Sequence, residues 1–281
     1  MTLPESVHHC SRKDMTRNIL AGTALALLIP ATTSLAEPVT SDRLAAGLPR
    51  SGDIQGEIVE LDAAGARFIA IFQATQRDKI SGGIVLLHDQ RGNANSLEVI
   101  RPLRLGLAQA GWETLSLQLP NAARDEGRAA WLSRQTVILA RLQAGSDWLK
   151  ARKRLDQAIV AQGDSGSIAV RFAADTLPRE LKALVLVSSH LEHDEATGPD
   201  PLGRLKTPVL DIFAERDVRP VLDSAPARKT AAAAAKDQDR VYRQAMVTGA
   251  MPGFFGLEDS LLARIRGWLA TYAEPAQSNT R

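Results

Sequence analysis

Ser165 and Asp217 have the residue types and settings of a hydroxyl-nucleophile site, but the base that would complete it is absent from its usual place. Ile159 to Gln162 is a short apolar run that enters Gly163-Asp164-Ser165-Gly166-Ser167, and a helix-like stretch follows. Small residues two before and two after a serine, here Gly163 and Ser167, permit the sharp strand-to-helix turn that exposes an attacking hydroxyl. The helix starting at Gly166 would aim its free N–H groups at the same spot. The same turn also suits any strand-to-helix connection, with Ser165 as a helix cap. Pro208 to Phe213 is a second apolar run, and Asp217 follows it closely. A serine hydroxyl needs a neighbouring base to take its proton. From Asp194 to Arg281 there is no histidine.

The histidines that remain are weak substitutes. His88 ends an apolar strand and reads as a hydrogen-bonded structural residue. His190 and His193 follow the Ala183–Val187 run and, with Asp194, spell His-x-x-His-Asp. Two histidines three apart on a loop, without a third ligand, do not make a metal site. They read as solvated loop residues, with a displaced base as the alternative, and the sequence calls for no metal and no cofactor. Gly-Asp-Ser-Gly also surrounds the nucleophile of chymotrypsin-like proteases, but those are cysteine-rich double barrels with a Thr-Ala-Ala-His-Cys box that has no counterpart here. Lipases with an N-terminal Gly-Asp-Ser-Leu carry it on their first strand, whereas Gly163 is mid-chain.

The elements needed to position these residues alternate along the chain. Glu57–Leu61 and Arg67–Phe72 flank Asp62-Ala63-Ala64-Gly65 as a hairpin. Ile84–Leu87 is continuously apolar, as expected of a strand buried on both faces. A helix is expected from about Leu97 to Ala110, where Ile100, Leu103 and Leu107 recur at helical spacing before Gly111. Strand Thr114–Leu119, one long helix from Arg128 to Arg152, strand Ala158–Gln162 and helix Gly166–Ala174 come next. Ala183–Val187 and a weaker Val241–Val247 are further strands, and Leu257–Tyr272 is a closing amphipathic helix. Glu192 to Gly203 reads as loop, and the Ala231–Ala235 run as exposed helix. Such alternation predicts an α/β fold, a mostly parallel sheet with helices on both faces, in one domain over residues 50–274.

Residues 1–36 stand apart. Arg12, Lys13 and Arg17 precede the apolar run Ile19–Ile29, and Ser34-Leu35-Ala36 supplies small residues for cleavage, the layout of a secretory signal peptide. The run is too short for a membrane span. Met15 is an alternative start. Cleavage after Ala36 would remove Cys10, the single cysteine among the 281 residues. A cysteine-free exported chain fits a bacterial periplasm, with no membrane anchor left. The net charge of +2 predicts neither nucleic acid nor anionic membrane as a partner. A small-molecule ligand or a protein partner remains.

The order of Ile84–Gly92, the Ser165 turn, Pro208–Asp217 and a final helix with Arg266-Gly267-Trp268-Leu269 resembles the α/β-hydrolase superfamily. More narrowly, Leu86-Leu87-His88 together with Gly111-Trp112-Glu113-Thr114-Leu115-Ser116-Leu117-Gln118-Leu119-Pro120 resembles an uncharacterised family of exported bacterial proteins, domain of unknown function 3530. The resemblance covers roughly Ile84 to Leu269. It implies Ser165 as nucleophile, Asp217 as acid, and an oxyanion hole from Gly166 and the His88–Gly92 loop around Asp89. It also implies a histidine in the stretch where this chain reads Gly249-Ala250-Met251-Pro252-Gly253. Neither Met251 nor Pro252 can accept a proton, and a carboxylate at Asp89 opposes the charge an oxyanion hole stabilises. The expectation is a non-catalytic or feebly active binding protein. The alternative is a serine esterase or peptidase using Ser165, Asp217 and a displaced His190 or His193.

Overall fold

The computed structural model describes residues 54–123, 125–191, 200–234 and 241–274. Eight strands form one sheet: β1 (Glu57–Ala63), β2 (Ala66–Gln73), β3 (Gly82–Leu87), β4 (Trp112–Leu117), β5 (Gln157–Gln162), β6 (Leu181–Val187), β7 (Val209–Ala214) and β8 (Tyr242–Val247). Their spatial order is β1-β2-β4-β3-β5-β6-β7-β8. The hairpin β1–β2 and the β2–β4 pair are antiparallel, and every later pair is parallel.

Strands β3 to β7 are buried almost throughout because the sheet is covered there on both faces, and successive side chains go to opposite cores. Ile84 and Leu86 of β3 join Ala158 and Val160 of β5 in one cluster. Val85 and Leu87 join Ile159 and Ala161 in the other. Helices α1 (Ile100–Gln109) and α7 (Glu258–Tyr272) supply Leu103, Leu107, Ile265 and Trp268 to the first face. The second face is covered by α2 (Arg128–Leu132), α3 (Gln135–Ala151) and α4 (Ser165–Thr176), through Trp131, Leu142, Ile168 and Phe172.

Three elements differ from the sequence expectation. The long helix from Arg128 breaks at Ser133-Arg134 into α2 and α3, and Trp131, at the end of α2, donates its indole N–H to the Pro120 carbonyl. A short α5 (Pro201–Arg204), capped by Asp200, overlaps the end of the expected Glu192–Gly203 loop. The alanine run ends a longer helix, α6 (Arg219–Ala233), which Pro220 and Pro226 hide from a sequence reading.

The strand order reverses at β3, so the loops leaving β3 and β5 lie side by side. In open α/β sheets this switch point is where ligands are held. The reactive-site question therefore reduces to what His88–Asn95 and Gly163–Ser167 do to each other.

Candidate functional site

The elbow after β5 is built on a different residue from the one expected. Gly163 holds the left-handed backbone at its apex, φ 61°, and its N–H donates to the Val187 carbonyl at 2.9 Å. Ser165 lies two residues further on, as the first residue of α4. It is fully buried. Its hydroxyl donates to the Gln162 carbonyl at 2.8 Å, with the Leu87 carbonyl at 3.3 Å. The expected exposed Ser165 nucleophile is thus not what the geometry provides: this hydroxyl ties the ends of β3 and β5 to the first turn of α4. Small-x-apex-x-small also fits Ala161-Gln162-Gly163-Asp164-Ser165, and that register, two residues earlier, is the one the chain adopts.

Gly166, expected to furnish an oxyanion-hole N–H, donates instead to the Gly163 carbonyl at 3.1 Å. The amide after the apex is that of Asp164, and it is already occupied. Asp89 Oδ1 accepts from Asp164 N–H at 2.9 Å and from Gln90 N–H at 2.8 Å. These are the two donors, one from each loop, that this geometry would aim at a developing oxyanion. The carboxylate also fills the place of an apex side chain: a Cβ on Gly163 would fall 2.3 Å from Asp89 Cγ and 2.4 Å from its Oδ1.

Burial pushes the Asp89 carboxyl above its ordinary value, and the neighbouring Asp164 adds to this. The two amides and Arg128 pull the other way without cancelling it. Arg128 Nε donates to Asp164 Oδ1, and its Nη2 reaches the His190 carbonyl at 3.1 Å. One guanidinium therefore links α2, the elbow and the loop after β6.

His88 is fully buried. Its Nε2 accepts from Leu119 N–H at 2.9 Å, so Nδ1 carries the proton and donates to the Asp89 carbonyl at 2.7 Å. Burial lowers its pKa to about 4, which keeps the ring neutral and structural. The segment Leu115–Pro120 explains itself in the same network. Ser116 Oγ donates to the Ala94 carbonyl at 2.7 Å, and Gln118 Oε1 accepts from Ala94 N–H at 3.0 Å. Ala122 N–H donates to the Gln90 carbonyl at 3.0 Å. The polar side chains of that motif hold the loop that delivers Asp89.

Asp217 lies just beyond β7, at the same sheet edge as Gly163, and is nearly buried. Its carboxylate accepts from Ser188 Oγ and Ala214 N–H on Oδ2, and from Val218 N–H on Oδ1. Ser188 takes a left-handed φ of 48° to reach it. The loop after β8 comes alongside, with Arg216 N–H donating to the Ala250 carbonyl at 3.0 Å, and it presents a largely exposed Met251 and a half-buried Pro252. The acid's partner is a serine hydroxyl rather than an imidazole. His190 is half-buried on the loop after β6, and His193 lies outside the described residues. Among the described residues no group of acidic, histidine or cysteine side chains is arranged to hold a metal.

An eight-stranded sheet in this order, an elbow after β5 and an acid after β7 define an α/β-hydrolase fold. The chain belongs to the family described as protein of unknown function DUF3530, which matches residues 23–131 and 126–271. Solved structures share the fold at low identity. The dienelactone hydrolase from Anabaena variabilis superposes with a TM-score of 0.62 at 17% identity, covering 79% of this chain and 100% of that one. Est1E from Butyrivibrio proteoclasticus gives 0.59 at 14%, covering 76% and 98%. XC6422 from Xanthomonas campestris, an α/β serine hydrolase without a lid, gives 0.57 at 12%, covering 82% and 100%. No curated protein matches the chain in sequence.

Proposed function

We propose that this chain is a binding or scaffold protein on a hydrolase frame, without a working acyl-transfer site. The observation that carries this is the Asp89 carboxylate seated on both oxyanion-hole amides, against an apex residue that has no side chain. An attacking atom, a base and an oxyanion hole must coexist for this chemistry. Here the apex is glycine, the base position is Met251-Pro252, and the hole holds a negative charge. The alternative esterase reading would need Ser165, which faces backbone carbonyls in the core. The signal-like residues 1–36 support export of the rest to the periplasm as part of this proposal.

The test is labelling of the purified protein with a fluorophosphonate probe, alongside p-nitrophenyl acetate turnover. We expect no labelling, and a rate at background that Ser165→Ala leaves unchanged. Labelling abolished by Ser165→Ala would overturn the reading and send attention to His190 and His193.

A further inference from the structure

A second feature lies on the α7 face of the sheet, toward the starts of β7 and β8 and away from the elbow. Leu210 and Arg243 are paired across β7 and β8. With Ala245 they form one wall of a cleft of about 380 Å³ whose other wall is α7. The cleft exists because small residues face each other there: Ala245 on the strand, and Ala263 and Gly267 on the helix. A Cβ added at Gly267 would meet nothing within 4 Å. That volume is in the range of small-molecule sites.

The charged groups around it are all of one sign, beside the Thr271 hydroxyl, which donates to the Gly267 carbonyl at 2.9 Å. Arg243 and Arg264 line the cleft, and no carboxylate does. Both arginines are exposed, and among the described residues neither guanidinium has an ion-pair or hydrogen-bond partner. Trp268 also lines it, is only 5% exposed, and its indole N–H has no acceptor. Tyr272, whose ring centroid is 4.3 Å from that of Trp268, adds an aromatic wall.

We infer that this cleft is a binding site for a phosphate monoester carrying a compact apolar group. Two guanidinium forks offer more donors than one carboxylate can accept, whereas the terminal oxygens of a phosphate monoester serve both. The alanines, Leu210 and Tyr272 receive the apolar part. The ligand is either a soluble phosphorylated compound or the headgroup of a phosphatidic-acid-like lipid. The inference is independent of the reading of the elbow.

The experiment is calorimetric titration of the purified protein with phenyl phosphate and with inorganic phosphate, beside co-sedimentation with phosphatidylcholine vesicles with and without phosphatidic acid. Phenyl phosphate should bind in the sub-millimolar range or tighter, and Arg243→Gln/Arg264→Gln should weaken it by about tenfold or more. Unfolding midpoints of the variants separate lost binding from lost folding, because both arginines are exposed and unpaired. Sedimentation dependent on phosphatidic acid and lost in the double variant would assign the ligand to a lipid headgroup. Binding of phenyl phosphate alone would assign it to a soluble ester. The site is overturned if neither probe saturates below about 10 mM, or if the double variant binds as well as wild type. Inorganic phosphate binding as tightly as phenyl phosphate would overturn the apolar half of the assignment.

Discussion

Asp89 Oδ1 accepts from the Asp164 and Gln90 amides, one on each loop of the sheet's switch point. A charged group buried in this way is favoured by its hydrogen bonds and disfavoured by lost hydration, and here the second effect prevails. Because the folded-state pKa is raised, the folded protein holds the Asp89 proton more tightly than the unfolded chain does. Stability is therefore lost as pH rises from the ordinary carboxylate range through the folded pKa. Asp89→Asn keeps an acceptor at Oδ1 for both amides and removes the charge. We expect it to raise the urea midpoint at about pH 7, with the gain shrinking toward about pH 4. A midpoint lowered at neutral pH, or a gain independent of pH, would show that the carboxylate's hydrogen bonds outweigh its burial.

At the scale of elements, the site consists of two loops at the sheet's switch point that each occupy the space the other would need. The loop after β3 is held by Ser116, Gln118 and Leu119 of the β4 segment. The loop after β5 is held by its left-handed Gly163 and by Ser165 beneath it. Their contact is the Asp89 side chain over Gly163, so substitutions at these two positions should not add. Gly163→Ser alone brings a Cβ into the carboxylate and should cost about 2–4 kcal/mol, the sum of overpacking and left-handed strain. In an Asp89→Gly background only the strain remains, and the cost should fall to about 1–2 kcal/mol. Denaturant unfolding of the four proteins of this cycle measures the difference. Equal costs in the two backgrounds would mean that the loops are not coupled through Asp89.

At the scale of the whole molecule, both faces of the central sheet are covered, and the Arg228–Asp211 ion pair is buried between sheet and helix. Asp211, on β7 next to the sheet edge, is met by Arg228 Nε at 2.7 Å, Tyr242 Oη at 2.6 Å and Gln244 Nε2 at 3.0 Å. That network ties α6 and edge strand β8 to the sheet through polar contacts, where β8 itself buries little. No helix among the described residues is long and apolar enough to cross a membrane. The proposed export rests on residues 1–36. Expressed in a Gram-negative bacterium, the chain should be recovered from the periplasmic fraction with Glu37 as its first residue. An intact N-terminus in the membrane fraction would make Ile19–Ile29 an anchor instead.

By itself the sequence determined the sheet and most of its strands. Runs such as Ile84–Leu87 and Ala183–Val187 are apolar without alternation, which only a strand covered on both faces requires. It also showed that Met251 and Pro252, in the loop after the last strand, cannot accept a proton. It put the Asp89 carboxylate in the loop after β3, where the structure shows it bonded to the amide of Asp164. It could not decide the register of the elbow. Both Gly163 and Ser165 have small residues two positions away on each side, and only the backbone angle at Gly163 and its contact with Asp89 distinguish them. Nor could it show that Asp217 bonds Ser188, or that Arg128 joins three elements, because those partners lie 29 to 62 positions apart in the chain. Local patterning sets which faces are buried, whereas the identity of the group that fills a hole between two loops depends on packing that only the assembled sheet defines.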